Sequence, residues 1–448
     1  MTVAALLLLG LGLLLGAEGQ CFFNRTQEYC VCYNLSQESM GSIIQCLAAT
    51  AVEFRGGELE KYAAFPIDDL DPSAIDMLSS LLIRKIIFGD LLVPMMLLSR
   101  VLRFFSYTQV QEVVFDSCVF RGRGDWAEMA GRSLPISALS FHNVTGTPVG
   151  SEQDLSGLGT WLQALQNLSV TASHVTRLPC STGRLLTALR SLDLAHNSLG
   201  DGELPTTFCT GAFPELRALA LQHNNLTSYG SVCESVRLLR ELQQLDLSHN
   251  RLTAGLASSC QWPAALRVFN LSDAGLDRVP EPLPPTLEVL DVSCNRLHAA
   301  DISLSSLKQL FLSYNLLQAV PCLRSCPALD TLHLDNNSLA ELPWGELKLL
   351  RHLRRVSAAG NPFNCSCQGA GGLQALAGAG LLGPGWPQAY TCSSPPSYRG
   401  HPAQDVPVSA LHCHGPAVIG ALCAVLTLLG VAAAACLLRH RARPCRRG

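Results

Sequence analysis

The chain has 448 residues, 48% of them hydrophobic and 15% charged, with a formal net charge of −3. A near-neutral chain projects no long-range field toward a polyanion, so nucleic acid is excluded as a partner at the outset. Nineteen cysteines point to an oxidising compartment and a disulfide framework.

Residues 1–19 hold the apolar run Ala4–Leu15 and then Ala17-Glu18-Gly19, the pattern of a secretory signal, although its start carries no Lys or Arg. The run is too short to span a bilayer, which takes about 20 apolar residues. Residues 20–80 gather Cys21, Cys30, Cys32 and Cys46 and are predicted to form an N-terminal cap; four cysteines permit three pairings. Zinc at Cys30-x-Cys32 is disfavoured by the spacing and by the compartment.

From Leu81 to Tyr107 the chain is more apolar than a half-buried strand requires, because neighbours on both faces are apolar. Two readings follow: a thick core buried on both sides, or a cavity between cap and first repeats lined by Met and aromatic side chains.

Residues 81–364 repeat one frame. Its clearest copy is Leu242, Leu245, Leu247, Asn250, Leu252, which reads L-x-x-L-x-L-x-x-N-x-L. Leu245 and Leu247 alternate inward on a short strand, Leu242 and Leu252 fill the flanking layers, and the Asn250 amide serves backbone groups where the chain turns away. The frame recurs around Asn197, Asn224, Ala274, Asn295, Asn315, Asn337 and Asn361, and in weaker form around Leu91, Cys118, Phe141 and Ser173. This is the consensus of the leucine-rich repeat, at a period within its usual span of roughly 20–29 residues. One copy cannot close a core, but stacked copies can. The predicted fold is therefore an α/β leucine-rich-repeat solenoid, a horseshoe with a parallel concave sheet, irregular or short helical segments outside, and a disulfide cap at each end.

Cys180 with Cys209, and Cys233 with Cys260, lie outside the strand motif and are placed to staple the convex side. Cys118, at an Asn position, and Cys294, beside Asn295, read as buried thiols with no activating base nearby. Cys322 and Cys326 flank a turn and are placed to pair locally. Residues 365–416 open with Cys365-Ser366-Cys367 and continue to Cys392 and Cys413. They resemble the cysteine-rich C-terminal cap of extracellular leucine-rich-repeat proteins, which implies pairing of Cys365 with Cys392 and of Cys367 with Cys413. Residues 417–438 carry no charge and are long enough to span a bilayer; the arginine-rich residues 439–448 fit a cytoplasmic tail. The expected location is the plasma membrane at the cell surface, single-pass type I, with a lipid anchor or shed form less favoured. Sequons at Asn24, Asn34, Asn143, Asn167, Asn225, Asn270 and Asn336 fit a glycoprotein, and an eighth, Asn364, adjoins a half-cystine. The repeats hold no G-x-S-x-G, no H-E-x-x-H and no recognisable carboxylate pair, so no enzyme, catalytic residue, metal or cofactor is expected.

Cys30-Val31-Cys32 followed by Cys46, the phrases Leu245-Asp246-Leu247-Ser248-His249-Asn250 and Phe269-Asn270-Leu271-Ser272-Asp273-Ala274-Gly275-Leu276, and Leu290-Asp291-Val292-Ser293-Cys294-Asn295 are similar to the monocyte-differentiation-antigen family of lipopolysaccharide co-receptors. The resemblance runs from about residue 20 to about residue 300. It implies pairing of Cys21 with Cys32 and of Cys30 with Cys46. It also implies an N-terminal hydrophobic pocket for acyl chains of bacterial lipopolysaccharide or lipopeptides. By position the walls map onto Val52, Phe54, Leu59, Ile83, Ile86, Phe88, Val93, Pro94, Leu97, Leu98, Val101, Leu102, Phe105 and Tyr107. Arg84, Lys85, Arg100 and Arg103 are near enough in sequence to supply cations at the rim. The implied partners are lipopolysaccharide-binding protein, a Toll-like receptor complex, the membrane and a second copy of the chain. Two departures stand out: the mammalian relatives lack the cysteine-rich C-terminal cap, and they carry a glycolipid anchor. The alternative function is a receptor that binds a protein ligand on the concave face, which a glycan on Asn270 would obstruct.

Overall fold

The computed structural model describes residues 19–34, 40–57, 72–131, 133–148, 155–253, 260–383 and 385–441. Its centre is one 15-stranded sheet whose spatial order is its sequence order. The first two strands, Gln20–Asn24 and Tyr29–Tyr33, form an antiparallel hairpin. Every later strand joins in parallel, from Ala51–Arg55 to Arg355–Ser357. Parallel neighbours need crossovers, and here each crossover runs over the convex side. The register aligns Leu192, Leu219, Leu245, Phe269, Leu290, Leu310, Leu332 and Val356 in one buried column. Alternation along each strand sends these residues inward and their flanking residues to the concave face.

The repeat asparagines tie consecutive rungs together. Asn250 Nδ2 donates to the carbonyls of Leu221 (3.0 Å), Leu247 (3.0 Å) and Ser248 (3.2 Å), and its Oδ1 accepts from the N–H groups of Asn224 and Leu226, both at 3.2 Å. The chain leaves its strand here and its backbone groups have no sheet partner, so one amide satisfies five of them. At the degenerate repeat, Cys118 Sγ takes the amide's place and donates to the Phe88 carbonyl at 3.3 Å. Burial pushes the Cys118 thiol up to about 11, which fits an inert structural group.

The residue just before each of these asparagines has positive φ: His196, His223, His249, Cys294, Tyr314 and Asn336 lie between 52° and 57°. Asp273, before Ala274, adopts the same conformation. This column faces outward, which corrects the expectation for Cys294: its thiol is exposed, although Asn295 beside it is buried.

Among the described residues six disulfides are formed: Cys21–Cys32, Cys30–Cys46, Cys180–Cys209, Cys233–Cys260, Cys365–Cys392 and Cys367–Cys413. The expected local bond between Cys322 and Cys326 is not one of them. Cys326 is buried with Sγ donating to the Ile302 carbonyl at 3.5 Å, whereas Cys322 is exposed, so the two thiols face different surroundings. At the C-terminal end the helix Cys367–Gly378 closes the last rung, capped by Ser366, whose side chain accepts from Gly369 N–H. Fully buried Tyr390 fills the space beneath and its hydroxyl accepts from Ala358 N–H at 3.1 Å. Among the described residues one helix, Ala410–Arg441, holds a segment, Ile419–Cys436, long and apolar enough to cross a membrane.

Candidate functional site

The solenoid is wider at its N-terminal end. Strands Ala51–Arg55, Lys85–Gly89, Glu112–Asp116, Ala138–His142 and Asn167–Thr171 have five residues each, against three from Ser191–Asp193 onward. The second inward column, Leu or Val in later repeats, is aromatic here. Phe54, Phe88, Phe115 and Phe141 stack rung upon rung with ring centroids 5.8, 5.2 and 5.4 Å apart. Phenyl rings stand where later repeats use Leu, and a helix on the convex side packs against them, with the Phe105 ring 6.4 Å from that of Phe88.

That helix is Met95–Phe105. Met95, Leu98, Leu102 and Phe105 recur at helical spacing and are buried, while Met96 and Arg100 on the other face are exposed. Pro94 starts it, with no N–H to leave unpaired and φ already near −60°. Beneath the helix and the next two rungs lies an apolar cavity of about 20 Å³, lined by Leu98, Leu102, Phe115, Phe141, Trp126 and Trp161 among others. The volume would take one water, but an apolar lining gives a water nothing to bond, so the cavity is dry. Trp161 Nε1 donates to the Ile136 carbonyl at 3.1 Å, whereas the buried Trp126 Nε1 has no partner among the described residues.

The residues mapped as pocket walls fall into separate places. Val52 belongs to the small core of the cap, and Phe54 and Ile83 pack against both that core and the main one. Ile86, Phe88 and Val93 are buried in the first rungs, and Leu98, Leu102 and Phe105 line the underside of the helix. Pro94, Leu97, Val101 and Tyr107 are half-buried, and Leu59 lies outside the described residues. Only Leu98 and Leu102 of the mapped set touch the cavity. The four cations differ in their surroundings. Arg84 and Arg100 are exposed, Arg103 is half-buried on the helix, and Lys85 is tied across the sheet to Glu112 at 2.7 Å. Trp126, Trp161, Leu155 and Leu158 complete the lining and were not among the mapped residues. The two tryptophans were the available signal: they are large apolar groups in the same crossover layer as the helix.

Around this end the surface keeps apolar side chains uncovered. Ile44, Leu47, Met77, Leu82, Leu92 and Met96 are each at least 40% exposed. The concave face here is polar instead: Arg55 bonds Glu53 at 2.6 Å and Asp90 at 2.8 Å. The hydroxyl of Tyr29 bonds Glu53, and burial first, that bond second, push the phenol well above its ordinary range. Farther along, the sequon residue Asn270 lies on the concave face with Nδ2 donating to Asp246 at 3.0 Å.

Comparison with known proteins agrees with this architecture. The Leucine rich repeat family model matches residues 285–339, and a second Leucine Rich Repeat model matches 188–210 and 241–262. Toll-like receptor 2 of Macaca mulatta is 31% identical over 353 residues, 78% of this chain and 45% of that protein. Toll-like receptor 2 of Equus caballus is 29% identical over 352 residues, with the same coverage. The chain thus spans a little under half the length of the curated relatives it matches. Among solved structures, the mouse RP105/MD-1 complex contains a chain with the same fold, at a TM-score of 0.53 and 19% identity, over 84% of this chain and 73% of that one. Repeat frame, single-file sheet and matching repeat models together show this chain to be a leucine-rich-repeat solenoid, similar in sequence to Toll-like receptor 2.

Proposed function

We propose that the protein is a cell-surface innate-immune co-receptor that binds amphipathic bacterial lipids in the N-terminal apolar layer and hands them to a Toll-like receptor complex. The carrying observation is the phenyl-lined, dry cavity beneath an amphipathic helix, beside an uncovered apolar surface. The sequence likeness to Toll-like receptor 2 supports it.

A ligand pocket commonly spans about 300–1,000 Å³, so the present cavity must enlarge to hold an acyl chain. Energetics say how. An acyl chain of about twelve carbons gains on the order of 10 kcal/mol at roughly 0.8 kcal/mol per CH₂. Removing the helix from the core would expose four buried side chains at about 1.5–3 kcal/mol each and cancel that gain. The favourable route inserts the chain between helix and sheet, so that Leu98 and Leu102 exchange contacts with each other's neighbours for contacts with lipid. Exposed cations at the rim contribute about 1 kcal/mol or less each and select headgroups rather than decide binding.

The test uses purified full-length protein, lipid extraction with mass spectrometry, and titration with lipopolysaccharide and a diacyl lipopeptide. Leu98→Asp places a charge on the wall, and Leu155→Trp fills the cavity without one. Both should reduce lipid binding at least about tenfold, a 1.4 kcal/mol effect. Arg100→Ala should change it by less than about fivefold. Wild-type affinity in both wall variants, with native circular dichroism, would remove this site from consideration.

The anchor belongs to the same reading. The segment Ile419–Cys436 is proposed to span the membrane, with the arginine-rich end inside. Treating expressing cells with phosphatidylinositol-specific phospholipase should leave surface protein in place. Release of most of it would instead make the segment a signal for a lipid anchor.

A further inference from the structure

In three consecutive rungs the positive-φ residue before the repeat asparagine is a histidine: His196, His223 and His249. Backbone geometry alone asks only for a residue that tolerates the left-handed region, and Asp273 and Asn336 meet the same demand. The three imidazoles do something more. His196 and His223 stack with centroids 4.1 Å apart and planes 16° from parallel, and His223 and His249 stack at 4.1 Å and 8°. The column ends on Asp273, whose Oδ2 lies 2.8 Å from His249 Nδ1. All three rings are on the exposed edge of the solenoid.

We propose that this column is an acid sensor: a stack that separates as protonation charges it, loosening the middle rungs of the solenoid in an acidified compartment. Neutral rings can stack this closely without charge repulsion, whereas imidazolium neighbours this close repel even through water. The groups facing His223 are His196 and His249 on either side and the carboxylates of Asp273 and Asp246 beyond. Covering by its neighbours first, and their charge second, hold His223 below the ordinary histidine range, against the pull of the two carboxylates. The sign follows. A histidine held low in the folded state contributes stability that is fully present above its unfolded value of about 6.5 and is lost as pH falls from there through the lower folded value. Separation acts directly on the backbone, because the same three residues bridge to the next rung. His196 N–H donates to the Gln222 carbonyl at 2.9 Å, His223 to Ser248 at 3.2 Å, and His249 to Ser272 at 3.0 Å.

The experiment uses full-length protein in lipid nanodiscs, with the ring carbons of histidine isotopically labelled for NMR titration. His196→Asn, His223→Asn and His249→Asn keep a residue suited to the backbone and assign the signals. His223 should titrate below about 6.5, and its midpoint should rise when either neighbour is replaced. Amide hydrogen exchange at His223 and His249, corrected for the intrinsic pH dependence, should speed up by about threefold or more between pH 7.5 and pH 5.5. The acceleration should be absent in His223→Asn. An ordinary or raised His223 midpoint, indifference to its neighbours, or equal acceleration in His223→Asn would each overturn the proposal.

Discussion

Cells expressing Cys21→Ser together with Cys30→Ser should show almost no protein at their surface. The cap has its own core, separate from that of the repeats, made of Cys21, Cys30, Cys32, Cys46, Ala49 and Val52. The half-cystines are most of that core, so Ala49 and Val52 alone cannot hold it. Removing a native disulfide from a small secreted domain costs about 2–5 kcal/mol, and the two together roughly 4–10 kcal/mol. That exceeds what two small apolar side chains supply at about 25 cal/mol per Å². Loss of the cap would expose Phe54 and Ile83, which pack against both cores, and quality control should retain the chain. Flow cytometry against total expression measures the outcome. Surface levels near wild type would mean that the first rungs hold without their cap.

The second large effect is expected at Asn250→Ala. Two buried N–H donors, of Asn224 and Leu226, would lose their acceptor, and three carbonyls would lose a donor. Each unsatisfied buried group costs about 1–3 kcal/mol, and carbonyls can share remaining donors more easily than N–H groups find new acceptors. A destabilisation of about 4 kcal/mol follows, set mainly by the two donors. Urea unfolding should show the midpoint falling accordingly, while Asn225→Ala, on the exposed neighbour, should shift stability by no more than about 0.5 kcal/mol. A loss below about 1 kcal/mol at Asn250 would show that water replaces the amide there.

The repeat frame was legible because its period is repeated and its residue types are restrictive. Leu at alternating positions and Asn at the turn have few substitutes, so the column from Leu192 to Val356 and the amides from Asn197 to Asn361 follow from spacing alone. The stretch from Met95 to Phe105 shows where such reading stops. Met95, Leu98, Leu102 and Phe105 carry helical spacing, but apolar residues at Leu97, Val101 and Phe104 mask it, and the run passes for a thick strand. The cavity was less legible still. Trp126 and Trp161 meet Leu98 only because parallel rungs bring successive crossovers side by side, a relation that no local window contains. Cys294 failed for a different reason: its neighbour Asn295 is buried, but positive φ turns the two side chains to opposite sides.

The single-file sheet has one more consequence, for the length of the molecule. Val289, Gln309 and Thr331 occupy equivalent places in three successive strands, and each strand pairs only with the one before and the one after. The cysteines within these turns, Cys294, Cys322 and Cys326, are all free, so no disulfide ties this stretch to a fixed count. A whole turn could be duplicated or excised here without altering the contacts either cap makes. The curvature would stay the same while the arc grew or shrank, so the distance between the two caps is an adjustable property of the chain.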